Sequence, residues 1–252
     1  MLKVRVIPTL LWKNVGLVKG VGFDSWRRVG TVLPAIRVYN SRDVDELILL
    51  DISATPENRP PDIDGLEEIA SDCFVPLTVG GGVRSVEDVR DLLIAGADKV
   101  CINTALYEDA GLLPKAAGRF GSQCIVAGLD ARRLPDGRHE CYSHCGARAT
   151  GREAAEWARE VEKNGAGEIL VTSIERDGSR LGYDIELIQK VAAAVRIPVI
   201  ASGGAGTAEH MEQVLSGTRA SAVAAASIFH FTEQTPLEIK QHLKEKGIQV
   251  RL

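Results

Sequence analysis

The sequence has no surplus of positive charge. Lysine and arginine number 30 against 34 aspartates and glutamates, a net charge of −4, so the composition gives no argument for a nucleic-acid partner. No apolar run approaches the roughly 20 residues that a membrane-spanning helix needs, and no charged leader precedes an apolar segment. The cysteines Cys73, Cys101, Cys124, Cys141 and Cys145 are an odd number, and the first three lie in or beside apolar segments. Reduced thiols in a cytoplasmic protein fit this better than a disulfide framework. What is present is 45% hydrophobic and 25% charged over 252 residues, an ordinary globular composition with room for one large domain or two small ones.

The chain alternates. Short apolar runs predict eight strands: KVRVIPTLL, ELILLDI, VPLTVGG, KVCIN, CIVAGLD, EILVTSI, IPVIASGG and SAVAAAS. Between them SVEDVRDLLIAG, GREAAEWAREVEKNG, DIELIQKVAAAV and AEHMEQVLSG carry helical patterns. Strands apolar on both sides suit a parallel sheet covered by helices. Eight strand–helix units in about 250 residues match a closed (β/α)8 TIM barrel. A doubly wound open sheet is the alternative, but it usually shows G-x-G-x-x-G after its first strand, and none is there.

The sequence also repeats. Shifted by 122 residues, ELILLDI from Glu46 lies on EILVTSI from Glu168, and VPLTVGGGVRSVED from Val75 lies on IPVIASGGAGTAEH from Ile197. Glu, Pro and Gly-Gly recur in register, which points to duplicated half barrels, about 1–122 and 123–252. A shift of 119 lays the first strand on the fifth and sets Leu11 on Asp130.

Both repeats end a strand in glycines, Gly80-Gly81-Gly82 and Gly203-Gly204, and the next strands end in Asn103-Thr104 and Ala226-Ser227. Glycines at the C-terminal mouth of a barrel let backbone N–H groups approach a ligand. Short polar groups at helix starts favour anions such as phosphate. Asp177-Gly178-Ser179 adds a polar element beside the second pair. Taken singly, each glycine pair could equally serve a tight strand–helix turn; two such places in equivalent positions favour a ligand with phosphates at both ends.

These features sit within a dense, collinear set of motifs: GLVKG, DELILLDI, TVGGGV, GADKVCINTA, GSQ, GAGEIL, TSIERDG, GYD, IASGGAG and SIFHF. Across the whole chain they resemble the cyclase subunit of imidazole glycerol phosphate synthase. The resemblance implies a (β/α)8 barrel that needs no cofactor, binds a substrate with two phosphates, joins a separate glutaminase as a heterodimer and receives ammonia through its core. The phosphate residues it implies are Gly82, Asn103, Thr104, Asp177, Gly178, Gly203, Gly204 and Ser227. It implies an ammonia entrance ringed by Arg5, Glu46, Lys99 and Glu168, each near the start of a strand. A salt-bridge cluster that merely closes the barrel bottom would use the same residues. Asp98, next to Lys99, matches the position that faces the glutaminase.

In one respect the chain departs from this family. The cyclase uses two carboxylates as general acid and base, at the ends of strands one and five. Asp130 holds the second place; Leu11 holds the first and cannot transfer a proton. Lys13, Lys19 and Gly20 are kept, whereas Thr31-Val32 stands where the family has Asp-Pro. The pattern resembles a branch that works beside a glutaminase and a sugar amidotransferase in surface-polysaccharide synthesis, supplying ammonia for an acetamidino sugar. A true cyclase of histidine biosynthesis, with Asp51 or Asp130 covering the missing role, is the alternative, and a non-catalytic scaffold that only activates its glutaminase is a third. One more segment, RHECYSHCG, gathers His139, Cys141, His144 and Cys145. Zinc takes such ligands, yet one cluster within seven residues rarely closes a tetrahedron. Alternation in the family's β-hairpin at this place would point His139 and Cys141 the same way.

Overall fold

The computed structural model describes residues 3–14, 16–232 and 234–252. Its first half runs β1 (Arg5–Lys13), β2 (Gly16–Val21), β3 (Asp24–Gly30), α1 (Val32–Asn40), β4 (Leu47–Asp51), α2 (Ile63–Ser71), β5 (Leu77–Gly80), α3 (Val86–Ile94), β6 (Lys99–Ile102), α4 (Thr104–Glu108) and α5 (Leu112–Phe120). The second half repeats that order: β7 (Ile125–Arg133), β8 (His139–Ser143), β9 (Arg148–Glu153), α6 (Ala154–Lys163), β10 (Glu168–Ser173), α7 (Ile185–Ala194), β11 (Val199–Ser202), α8 (Ala208–Gly217), β12 (Ala222–Ala225), α9 (Ser227–Phe231) and α10 (Pro236–Glu245).

Eight of these strands pair in parallel, in the order β1-β4-β5-β6-β7-β10-β11-β12, and β12 returns to β1. The sheet is therefore closed, a (β/α)8 TIM barrel, and the open doubly wound sheet is excluded. All eight expected strands are found in it. Register carries the internal repeat as well: Leu11 pairs with Leu50 on β4, and Asp130 pairs with Thr172 on β10, the residue 122 places after Leu50.

Each half also extends its first strand by an antiparallel hairpin, β2–β3 in one and β8–β9 in the other. The first hairpin is not among the strands expected from the sequence. The reason is visible in β3: DSWRRVG is exposed or half-exposed along its whole length, so no period-2 alternation marks it. The pattern at 151–165 likewise divides, with 151–153 ending β9 before α6 begins.

Packing follows from strands apolar on both sides. Outward residues such as Val6, Leu10, Leu47 and Leu49 meet the helices in one large cluster. Inward residues form a second cluster, Ile7, Ile48, Cys101, Val126, Leu170, Ile200, Ala222 and Ala224, so the barrel interior is filled with side chains. Helix starts are fixed locally. Ser85 and Asp88 form a capping box on α3, and Thr235 and Glu238 another on α10, where Pro236 takes the first helical position.

The last helix is tied to the barrel base by a buried ion pair. Lys240 is 1% exposed; its Nζ lies 2.8 Å from Asp45 Oδ1 and 2.5 Å from the Asp43 carbonyl. The other Asp45 oxygen accepts from Val6 N–H at 2.9 Å. Removing the ammonium would leave a buried carboxylate uncompensated. Lys240→Met should therefore cost about 3–5 kcal/mol in a denaturant titration, and Asp45→Asn in the same chain should recover part of that loss. A single variant within about 0.5 kcal/mol of the parent would contradict this role.

Candidate functional site

The barrel strands bring their C-terminal ends to one mouth. A cavity there is lined by Thr9 and Leu11 from β1, Asp51 from β4, Gly82 after β5, Asn103 and Thr104 after β6, Asp130 from β7, and Thr172 from β10. Asp177, Gly178, Gly203, Gly204 and Ser227 complete the opposite side. All eight residues expected to contact phosphate thus line one cavity, together with Leu11 and Asp130. Thr31 and Val32 do not line it; Thr31 is the N-cap of α1 and makes no side-chain cap bond.

The glycines here answer to packing as well as to any ligand. Gly82 has φ +74°, and a Cβ on it would sit 2.8 Å from the Ala54 Cβ. Gly178 has φ +71°, and a Cβ would run into the Gly20 carbonyl oxygen. Their identity alone therefore does not argue for a ligand. Better support comes from unpaired polar atoms. Thr9 Oγ1, Asn103 Oδ1 and Asp177 Oδ2 are buried without a hydrogen-bond partner, although all three residues line the mouth. Buried polar atoms are nearly always paired, so each is an open place for a ligand or water. Thr104 and Ser227 begin α4 and α9, which have no side-chain caps, and their first N–H groups need other acceptors.

Three carboxylates and one ammonium set the electrostatics. Asp51 is taken: its Oδ1 accepts from Ser53 N–H and Oγ–H, both at 2.9 Å, and from Ala54 N–H at 3.1 Å, and Arg59 lies 2.7 Å from its Oδ2. Asp130 accepts from Asn103 Nδ2–H at 2.7 Å. Burial and then the Asp177 charge push its pKa up to about 7, against the bonds from Asn103 and Thr172. Burial also raises Asp177, opposed by Lys19 and the Gly178 N–H. Lys19, 3% exposed with its Nζ 3.8 Å from Asp177 Oδ1, is the one cation among the described lining residues. It was legible only as part of GLVKG, and Thr9 carried no signal beyond its place in an apolar run.

At the other end of the barrel Arg5, Glu46, Lys99 and Glu168 meet in a closed ring. Arg5 reaches Glu46 at 2.6 Å and also binds Glu168, and Lys99 lies 2.9 Å from each glutamate. The acids are buried, at 2% and 5% exposure, while the Arg5 and Lys99 side chains keep 25% and 20%. Thr78 donates a further bond to Glu46 at 2.7 Å. Asp98 is exposed at this end and accepts from Leu77 N–H at 2.8 Å.

The four hairpin residues go separate ways. His139 and Cys141 do point to one side, both buried, but His139 binds Asp184 at 3.2 Å. The His144 ring lies 3.4 Å from Glu108, and Cys145 Sγ–H donates to the Ile52 carbonyl at 3.4 Å in the mouth. Among the described residues no group of three or more His, Cys, Asp or Glu is placed to hold a metal, and no helix is long and apolar enough to cross a membrane. A family model described as Histidine biosynthesis protein matches residues 5–235.

The raised Asp130 pKa has a stability consequence. Its folded value near 7 lies above the ordinary 3.8, so the stabilisation it gives is full below about pH 4 and is lost as pH rises through 7. Asp130→Asn lacks this loss. The variant should therefore gain on the parent between pH 4 and 8, ending about 2–4 kcal/mol ahead. Chemical denaturation across that range checks this, and a pH-independent difference between the two proteins would contradict it.

Proposed function

The chain belongs to the histidine biosynthesis protein family, and from that premise we propose that it is the synthase-type subunit of a glutamine amidotransferase. It takes ammonia from a separate glutaminase, conducts it through the barrel core and delivers it at the mouth to a phosphorylated or nucleotide-sugar acceptor. The pathway is the formation of acetamidino sugars for surface polysaccharide, where a sugar amidotransferase is a further partner. One observation carries the choice of acceptor: Leu11 holds the register position equivalent to Asp130, in a barrel with a complete set of candidate phosphate residues at the same mouth and a complete charged ring at the other end. The repeated element order supports the division into half barrels at about 122/123.

Each part of the route has a physical task. The ring at the base seals the core by pairing its own charges. Its cations are the more exposed members, on long stems that can swing aside while the acids stay buried. Above it the interior is a packed apolar layer, whose side chains must part to let neutral ammonia through and which rejects ammonium, since an unpaired charge is costly to desolvate. At the mouth Asp130, with a pKa near 7, can take up the proton that ammonia releases when it attacks a carbon. Leu11 offers no second proton carrier.

The cyclase of histidine biosynthesis needs that second carboxylate, and Asp51 is poorly suited to replace it. Two residues of its own loop and Arg59 already occupy it. A pure scaffold, in turn, would have no use for the unpaired polar atoms of the mouth.

The glutaminase docks on the ring end. Asp98 is exposed there, and Phe74, on the connection before β5, and Ile94, at the end of α3, are 80% and 70% exposed. Reversing a charge at an interface rim makes it repulsive. Asp98→Lys should weaken capture of the cognate glutaminase about tenfold or more. Asp98→Asn keeps an acceptor for Leu77 N–H and should weaken it less. Capture unchanged by Asp98→Lys would put the docking face elsewhere.

A further inference from the structure

Outside the mouth a second cavity, about 450 Å³, opens on the barrel flank between α4 with the link after it, the β8–β9 hairpin and α6. That volume lies within the usual range for small-molecule sites. One wall is rich in donors. The Tyr107 and Trp157 rings stack there at 4.5 Å and 20°; Trp157 Nε1 is buried without a partner, while the Tyr107 hydroxyl has the Cys141 sulfur within reach. Arg152 lies 5.2 Å from the Trp157 ring centre, and the exposed Arg148 adds a second guanidinium. Indole and guanidinium groups only donate, so this wall calls for an oxygen acceptor, best a carboxylate.

Acids stand among these donors: Glu108 follows Tyr107 on α4, Asp109 comes next, and Glu160 lies 2.8 Å from Arg152. A phosphate dianion would be repelled by these acids, whereas a ligand with one carboxylate and one ammonium can pair with both kinds of group. We propose that this cleft is a binding site for a free amino acid, its carboxylate held by Trp157 and the arginines and its ammonium by Glu108 and Asp109.

The cleft shares parts with the mouth. The His144 ring lines the cleft, while its backbone N–H donates to Thr104 Oγ1 at 3.0 Å. Thr104 begins α4, the helix that supplies Leu106, Tyr107 and Glu108 to the cleft wall. His144 and Cys145 hold φ of +52° and +54°, a strained backbone for non-glycine residues. An occupant therefore bears on both elements that position Thr104, and its binding is coupled to anion binding at the mouth. Such coupling is reciprocal. The coupling, though not the binding itself, rests on the reading of Thr104 as an anion ligand.

Calorimetric titration of the full chain with each of the common L-amino acids tests this. At least one should bind saturably at concentrations up to about 10 mM. Its affinity should fall about tenfold or more in Trp157→Phe, which keeps the ring but loses the N–H. Glu108→Gln, at a half-exposed position that spares the core, should weaken it too. No saturable binding by any amino acid, or binding untouched by both substitutions, would overturn the proposal. Inorganic phosphate titrated separately reports on the mouth alone, so a failure there is distinguishable from a failure of the cleft.

Discussion

Two glutamates buried at the base of a barrel depend on two cations reaching them. Glu46 and Glu168 are almost fully enclosed, and as two buried carboxylates they would be strongly destabilising without partner cations. The ring they form ties β1, β6 and β10 to the residue just before β4. An apolar layer fills the interior directly over the charges, and polar groups return only at the mouth. The gradient from charged ring to apolar core to polar mouth follows the barrel axis, and it is the physical basis for reading the molecule as a conduit.

The mouth is built from two similar halves with different chemistry. Asp130 stands beside Asn103 and Thr172, with a second carboxylate, Asp177, near enough to raise its pKa. Leu11, at the matching place, lies beside Leu50 and Val18. One half thus presents a group that can gain or lose a proton near neutral pH, and the other an aliphatic surface. A reaction that needs protons moved on both faces of a bound substrate is poorly served by this pair.

Much of this was legible in the sequence because the strands are apolar on both faces and the repeat preserves register. The eight barrel strands and the closed sheet follow from those two features, while Arg5, Glu46, Lys99 and Glu168 were singled out by the family resemblance, supported by their places near strand starts. The β2–β3 hairpin did not show, since its outer strand is exposed on both faces and carries no alternation. Thr9 escaped notice for a different reason. It is a polar residue within an apolar strand, and only closure of the barrel turns it toward the mouth. The flank cleft was equally hidden, because Tyr107, Arg148 and Trp157 come from three elements whose meeting no local pattern records.

Restoring the missing carboxylate is the most direct test of what Leu11 means. Leu11 lines the mouth but is only 9% exposed, so Leu11→Asp should keep the fold at a desolvation cost like the one Asp130 already bears. Ammonium-dependent turnover of the phosphorylated histidine-pathway intermediate should be undetectable in the parent and weak but measurable in Leu11→Asp. The gain is bounded at about 10²–10⁴ for one proton-transfer group, and it should vanish in Leu11→Asp/Asp130→Asn. A parent that turns over the intermediate as well as the variant would contradict the changed-acceptor reading and make the chain a histidine-pathway cyclase.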